Sequence, residues 1–156
     1  MNWLKLVASL AVCQGAGLAG SVFNIESIPT WYATINKPFF NPPNWVFAPV
    51  WTILFILMGV SLYLVWENGF GKEEVKKSVY LFGIQLALNI FWSALFFGLR
   101  SPGLAFVEIV LLWAAILLTI MQFKKVSKKA AWLLVPYIAW VSFAALLNLS
   151  VWGLNP

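Results

Sequence analysis

Five long apolar stretches, separated by short polar segments, dominate the pattern along the chain. They cover residues 4–23, 45–66, 78–99, 102–123 and 130–153. Each has at least the roughly 20 residues that a helix needs to cross the hydrocarbon core of a bilayer. Because backbone polar groups in lipid must be satisfied within their own segment, such stretches form helices. The pattern predicts an all-α fold, an integral membrane bundle of five transmembrane helices in one domain over residues 1–156, with a long outer loop at 24–44.

Charged residues scarcely interrupt these stretches. The first stretch carries only Lys5, near one end, the fourth carries only Glu108, and the other three carry no charge. Composition agrees, since 62% of the 156 residues are hydrophobic and 10% are charged. An ionisable group within a span costs ~2.5–3.5 kcal/mol or more, so Glu108 is a possible functional carboxyl. The alternative is a protonated or hydrogen-bonded carboxyl that locks the bundle, with Asn89 as a candidate partner.

The first stretch has a second interpretation as a secretory signal peptide, because a lysine stands beside an apolar run. Its length also suits a membrane span, and Gly15, Ala16, Ala19 and Gly20 place small residues four positions apart. This spacing suits close packing between helices in a membrane. We therefore favour a retained first helix. In the last stretch, Pro136 should bend the helix because it removes a backbone hydrogen bond.

Basic residues lie mostly on one side of the predicted bundle. With five crossings, the N-terminus shares a side with segments 70–77 and 124–129, and these parts hold every basic residue except Lys37 and Arg100. The positive-inside rule then predicts a cytoplasmic N-terminus and an external loop. The bias favours a prokaryotic cytoplasmic membrane, so we expect membrane lipid as a partner and no nucleic acid.

The side-chain inventory limits the chemistry. The chain has one cysteine and no histidine, so we expect no disulfide, no histidine-ligated haem and no zinc site. Nothing resembles a catalytic triad or an acid/base pair. We therefore predict no cofactor, no bound metal and no conventional catalytic site.

An aromatic, proline-rich segment leads into the second apolar stretch. Trp31 and Tyr32 are followed by the proline pair at 42–43 and by Phe47-Ala48-Pro49-Val50-Trp51. Proline lacks a backbone N–H donor, and tryptophan is so large that it is rarely buried completely, so the core of a soluble protein does not need this arrangement. We interpret the segment as a rigid lid that carries flat rings into the membrane.

Other unusual residues are predicted at the same level of the bilayer. At 1.5 Å per residue, Trp51, Trp92 and Glu108 all lie roughly 10 Å below the outer ends of their helices. Three helical faces carry the rings and amides: Ala48, Trp51 and Phe55; Gln85, Asn89, Trp92, Ser93 and Phe96; and Tyr137, Trp140, Ala144, Leu147 and Asn148. The small alanines beside large rings leave room for a ligand. The alternative is that these faces pack together, with amides bonded between helices.

These residues resemble those of the translocator protein family, also called the tryptophan-rich sensory proteins or TspO/MBR family. The resemblance covers nearly the whole chain and is strongest in Trp31-Tyr32, Lys37-Pro38, Pro42-Pro43, Phe47-Ala48-Pro49-Val50-Trp51, Gln85-Leu86-Ala87-Leu88-Asn89 with Trp92, Pro136-Tyr137 with Trp140, and Leu147-Asn148. It implies a five-helix bundle, often homodimeric, with a ligand pocket beneath the first loop.

The resemblance also implies ligands and pocket positions. Family members bind porphyrins, isoquinoline carboxamide or benzodiazepine-type drugs and, in animals, cholesterol. The family's pocket positions correspond to Tyr32, Ala48, Trp51, Phe55, Asn89, Trp92, Phe96, Trp140, Ala144 and Leu147. Leu149 and Gly153 stand where the animal sterol-recognition stretch has a tyrosine and a basic residue, which argues against cholesterol.

The expected function is that of a membrane receptor for porphyrins and similar flat amphipathic ligands. Some bacterial relatives promote light-dependent breakdown of protoporphyrin, and Trp51 and Trp140 would be the candidates for that chemistry here. A light-dependent porphyrin-degrading enzyme is therefore one alternative. A proton-coupled small-molecule transporter that uses Glu108 is another.

Overall fold

The structure is a computed structural model that describes all residues 1–156, and it contains helices but no strands. Five helical segments are long and apolar enough to cross a membrane: Trp3–Tyr32, Asn44–Trp66, Glu73–Gly98, Pro102–Val126 and Lys128–Leu154. The predicted all-α architecture with five membrane-spanning helices is confirmed.

The first helix is longer than the apolar pattern indicated. Helix α1 spans Trp3–Ser27 and continues through a π-helical turn at Ile28–Tyr32. Pro29, which lies in this turn, has no backbone N–H, and the wider π turn changes the hydrogen-bonding ladder where that donor is missing. The connection to α2 (Asn44–Trp66) is therefore shorter than the expected loop at 24–44.

Helix α3 spans Glu73–Ser93 and is followed by a π turn at Ala94–Gly98, and α4 spans Pro102–Val126. The last membrane span is divided into two helices, α5 (Lys128–Leu133) and α6 (Val135–Leu154). The expected bend at Pro136 is a break at Leu134, one position before α6 begins. Pro136 occupies the first turn of α6, where backbone N–H groups have no acceptor within the helix, so the missing N–H of proline costs no hydrogen bond.

The helices are in close contact at the end of the bundle that carries the lysines of segments 70–77 and 124–129, here called the lysine-rich end. A Cβ added at Gly59 would lie 2.9 Å from Leu10 Cα, so α1 and α2 touch through this glycine. Ser61 Oγ donates to the carbonyl of Ala130 at 2.7 Å and joins α2 to α5. The rings of Phe82 and Phe123 stack at 5.9 Å between α3 and α4.

Candidate functional site: a lidded cavity

The segment that follows α1 is tied to the end of that helix. Tyr32 Oη donates to Asn41 Oδ1 at 2.8 Å. Lys37 Nζ donates to the carbonyl oxygens of Tyr32 at 2.7 Å and Ile35 at 3.0 Å. The same ammonium group lies 4.9 Å from the centroid of the Tyr32 ring, within range of a cation–π interaction. Segment 33–43 is therefore held as a compact lid.

A second set of bonds fastens the lid to the end of α6. The Asn36 backbone N–H donates to Asn155 Oδ1 at 3.0 Å, and Asn155 Nδ2 donates back to the Asn36 carbonyl at 2.8 Å. Phe40 contributes an edge-to-face contact with Phe143, with ring centroids 6.2 Å apart. The lid is consequently bound to both the first and the last membrane helix.

A cavity of about 580 Å³ is lined mainly by apolar side chains and reaches Tyr32 and Asn44, the two residues that flank this lid. All the ligand-binding residues that the sequence suggested border it: Tyr32, Ala48, Trp51, Phe55, Asn89, Trp92, Phe96, Trp140, Ala144 and Leu147. The structure brings these residues together around one space. Whether they bind a ligand stays a prediction.

The indole rings at the cavity are held by their neighbours. Trp51 packs edge-on against Tyr137 at 6.3 Å and lies 5.7 Å from Phe55. Trp140 lies between Phe47 at 6.1 Å and Phe143 at 5.4 Å. Because both indoles are only partly buried, part of each ring remains free to contact another molecule.

The amides of the sequence-predicted faces form bonds between helices. Asn89 Nδ2 donates to Tyr137 Oη at 2.8 Å, and Tyr137 Oη donates to Gln85 Oε1 at 2.8 Å. Trp92 Nε1 donates to Asn148 Oδ1 at 2.9 Å, which fixes the orientation of the indole. The two interpretations of these residues are therefore compatible, because Asn89, Trp92 and Asn148 join helices and also line the cavity.

Glu108 lies apart from this cavity. Its side chain is buried, neither carboxyl oxygen has a hydrogen-bond partner, and the residue is absent from the cavity lining although Ile109 belongs to it. The bond to Asn89 that the sequence left open is wrong, because the Asn89 amide donates to Tyr137 instead. The functional role of Glu108 stays a prediction.

One wall of the cavity was missed by the sequence reasoning. Helix α1 contributes Gln14, Gly17, Gly20, Ser21 and Asn24 to the lining. A Cβ added at Gly17 would lie 2.8 Å from the Phe55 ring, so the absence of a side chain at Gly17 leaves room for that ring. The three- and four-residue spacing of these small and polar positions is a signal that could have identified the wall.

The cavity opens sideways between α1 and α2. Leu18 and Ile25 on α1 and Thr52 on α2 border the cavity and are also exposed on the surface of the bundle. Towards the lysine-rich end the gap closes, because Gln14 Nε2 donates to the Thr52 carbonyl at 3.4 Å and Gly59 meets Leu10 beyond it. A molecule dissolved in the membrane therefore has a route to the cavity that does not pass through the lid.

Comparison with known proteins identifies the family of this chain. The model of the TspO/MBR family matches residues 9–153. The chain belongs to the TspO/MBR family. It is 51% identical over 153 residues to the tryptophan-rich protein TspO of Chlorobaculum tepidum, which covers 98% of this chain and 97% of the relative.

Two further relatives extend the range of the family. The translocator protein of Ovis aries is 41% identical over 155 residues, covering 98% of this chain and 91% of the relative. The tryptophan-rich sensory protein of Cereibacter sphaeroides is 31% identical over 155 residues, covering 99% and 94%. The chain is a multi-pass integral membrane protein with bacterial relatives, and its family supports a receptor or sensor role in the membrane.

Proposed function

We propose that this protein is a membrane receptor that binds porphyrins and similar flat, amphipathic molecules in the lidded cavity. The observation that carries the proposal is that Trp51 and Trp140, on separate helices, border one largely apolar space. Aromatic rings of a ligand gain from offset or edge-on contact with indoles. A volume of about 580 Å³ falls within the range of small-molecule sites.

The access route supports the same class of ligand. Flat apolar molecules partition into the bilayer, and the gap between α1 and α2 faces that environment. The lid is joined to the cavity wall at Tyr32, where Asn41 and Lys37 hold it by hydrogen bonds. The ligand would enter from lipid, lie against the indoles and be shielded from water by the lid.

Titration with protoporphyrin IX tests this proposal. The purified protein in nanodiscs is titrated while porphyrin absorbance and fluorescence are followed, for the wild type and for the double variant Trp51→Phe/Trp140→Phe. Loss of two indole contacts should weaken binding roughly tenfold or more. Trp132→Phe is the matched control, because Trp132 is exposed at the lysine-rich end. Equal affinity in the wild type and the double variant would contradict the proposal.

A second candidate is light-dependent porphyrin breakdown, which is favoured by the placement of Trp51 and Trp140 at the cavity. Illumination of the bound porphyrin in aerated buffer, with product absorbance followed over time, separates this activity from binding. A bilin-like product that forms with the wild type and not with the double variant supports it. Equal porphyrin loss with free tryptophan contradicts it.

We also propose a homodimer with its N-terminus in the cytoplasm. Light scattering of the purified protein should give the mass of two chains. Orientation is tested in intact cells by a membrane-impermeant maleimide on Phe39→Cys or Asn68→Cys, because the two exposed positions lie at opposite ends of the bundle. The native Cys13 is fully buried and should not react. Labelling of Asn68→Cys alone would contradict the proposed orientation.

A further inference from the structure

The wall of the cavity contains no side chain that could compensate a charge on a ligand. None of the 30 residues that line it is an aspartate, a glutamate, a lysine or an arginine. Its polar side chains are amides and hydroxyls, which carry no formal charge. Two of the amides already serve the protein, because Asn89 donates to Tyr137 Oη and Asn148 donates to the Pro102 carbonyl, both at 2.8 Å. The lining is therefore polar in places but electrically neutral.

Three charged residues near the same end of the bundle lie outside the cavity. Glu108 directly precedes Ile109, which lines the cavity, but both carboxyl oxygens of Glu108 are enclosed by protein. Glu26 and Arg100 are exposed on the surface and do not line the cavity either. The neutrality of the wall is thus not balanced by a charge directly behind it that a ligand could contact.

Lys37 is the charged residue of the lid, and its ammonium group is engaged within the lid itself. Nζ donates to the carbonyl oxygens of Tyr32 at 2.7 Å and Ile35 at 3.0 Å. The residue borders a separate groove together with Phe40 and Gly153, and it does not line the cavity. An anionic ligand in the cavity would therefore meet no cation to pair with.

The lateral route into the cavity imposes the same condition on a ligand. Leu18 and Ile25, which border the gap between α1 and α2, are exposed apolar side chains, so a molecule enters from hydrocarbon. An ionised group is costly in that medium. Once it is inside a protein, a charge without a partner costs far more than an uncharged polar group. Route and cavity consequently exclude the same chemical feature.

We propose that the cavity selects flat ring systems without formal charge, so that a porphyrin ester binds in preference to the corresponding porphyrin carboxylate. The proposal rests on the proposed function, because it assumes that such rings occupy the cavity. The rings contact Trp51 and Trp140, and ester, amide or keto groups on the ligand meet neutral amides and hydroxyls of the wall. The substrate class is therefore that of neutral aromatic molecules dissolved in the membrane.

Mesoporphyrin IX and its dimethyl ester test this selectivity, because they share one macrocycle and differ only in whether the two propionate groups are free or methylated. Both are titrated at a pH of about 8, where free carboxyl groups, with an ordinary pKa of about 4.3, are ionised. The protein is held in nanodiscs of phosphatidylcholine, which has no net charge. Empty nanodiscs give the amount of each porphyrin dissolved in lipid, so that both dissociation constants refer to porphyrin in the membrane.

The wild type should bind the dimethyl ester about tenfold or more tightly than the diacid. Equal affinities, or tighter binding of the diacid, would overturn the selectivity, and this comparison does not depend on any variant. If the diacid binds and the ester does not, the proposed function stands and the selectivity alone fails. If neither porphyrin binds, the proposed function fails as well.

A cation placed at the rim of the cavity provides a second test. Asn44 lines the cavity and is exposed at the start of α2, so Asn44→Lys adds an ammonium group that keeps contact with water. The preference for the ester should shrink about threefold or more, because the new cation pairs with a propionate. Asn68→Lys is the matched control, since Asn68 is exposed at the lysine-rich end and does not line the cavity. A preference that is unchanged in folded Asn44→Lys would overturn the proposal.

Discussion

The two halves of the bundle are packed in different ways. Near the lysine-rich end, Gly59 lets α1 and α2 touch, and Phe82 stacks on Phe123. Near the lid, a cavity of about 580 Å³ is lined by α1, α2, α3, α4 and α6. Apolar composition determines that the helices enter the membrane. The distribution of glycine, alanine and large rings along the helices determines where neighbouring helices come into direct contact.

A substitution in the packed half should have the largest effect. Gly59→Val places side-chain atoms where Leu10 Cα already lies 2.9 Å from the ideal Cβ, so the backbones must move apart. We expect a loss of about 1–3 kcal/mol in unfolding free energy, or failure to fold. Thermal unfolding in detergent measures it. Gly15→Ala is the control, since no atom lies within 4 Å of its added Cβ, and a normal Tm for Gly59→Val would contradict the close contact.

A substitution at Glu108 should change stability in the opposite direction. Glu108→Leu replaces two unpaired carboxyl oxygens by apolar atoms, so we expect about 1–2 kcal/mol of added stability. Porphyrin affinity should not change, because Glu108 does not line the cavity. Chemical or thermal unfolding gives the first result and titration the second. Lower stability would instead support a structural role for the carboxyl, and loss of ligand flux in proteoliposomes would support a role in transport.

Filling the hollow half should convert it into a packed one. Ala144→Phe adds a ring to the cavity lining, so we expect porphyrin affinity to fall about tenfold while the Tm stays the same or rises. Ala139→Phe is the matched control on the exposed face of α6. Titration and thermal unfolding of both variants provide the check. Unchanged binding by Ala144→Phe would place the ligand elsewhere.

The lid should give the smallest effect. Asn155→Ala removes the side chain that exchanges two hydrogen bonds with the Asn36 backbone. We expect ligand dissociation to accelerate by about two- to fivefold while association through the α1–α2 gap stays unchanged, because the loosened lid retains the ligand less well and each neutral bond contributes only about 1 kcal/mol. Stopped-flow fluorescence measures both rates, with Asn68→Ala at the lysine-rich end as control. A dissociation rate identical to that of the wild type would show that the lid does not retain the ligand.

Much of the bundle followed from the sequence, because its signals are local. Long uncharged stretches are enough to predict five helices. Rings repeated at helical spacing were enough to predict that Trp51, Trp92 and Trp140 face one region. Proline also gave a local signal, although Pro136 was expected to bend a helix and the chain instead breaks at Leu134.

The remaining features depend on contacts that no local pattern contains. The lid is fastened by Asn36 and Asn155, which are 119 positions apart. The α1 wall was not predicted because Gly17 and Gly20 have no aromatic signature, and their role depends on Phe55 and Ser93 of other helices. The structural role of a small residue depends on which side chains of other helices pack against it.

The most direct test of the account is an experimental structure of the protein with bound mesoporphyrin. We predict one macrocycle per chain, lying beneath segment 33–43 and in contact with the Trp51 and Trp140 rings. A macrocycle found only on the lipid-facing surface, with the space between those rings filled by protein side chains, would contradict the central claim.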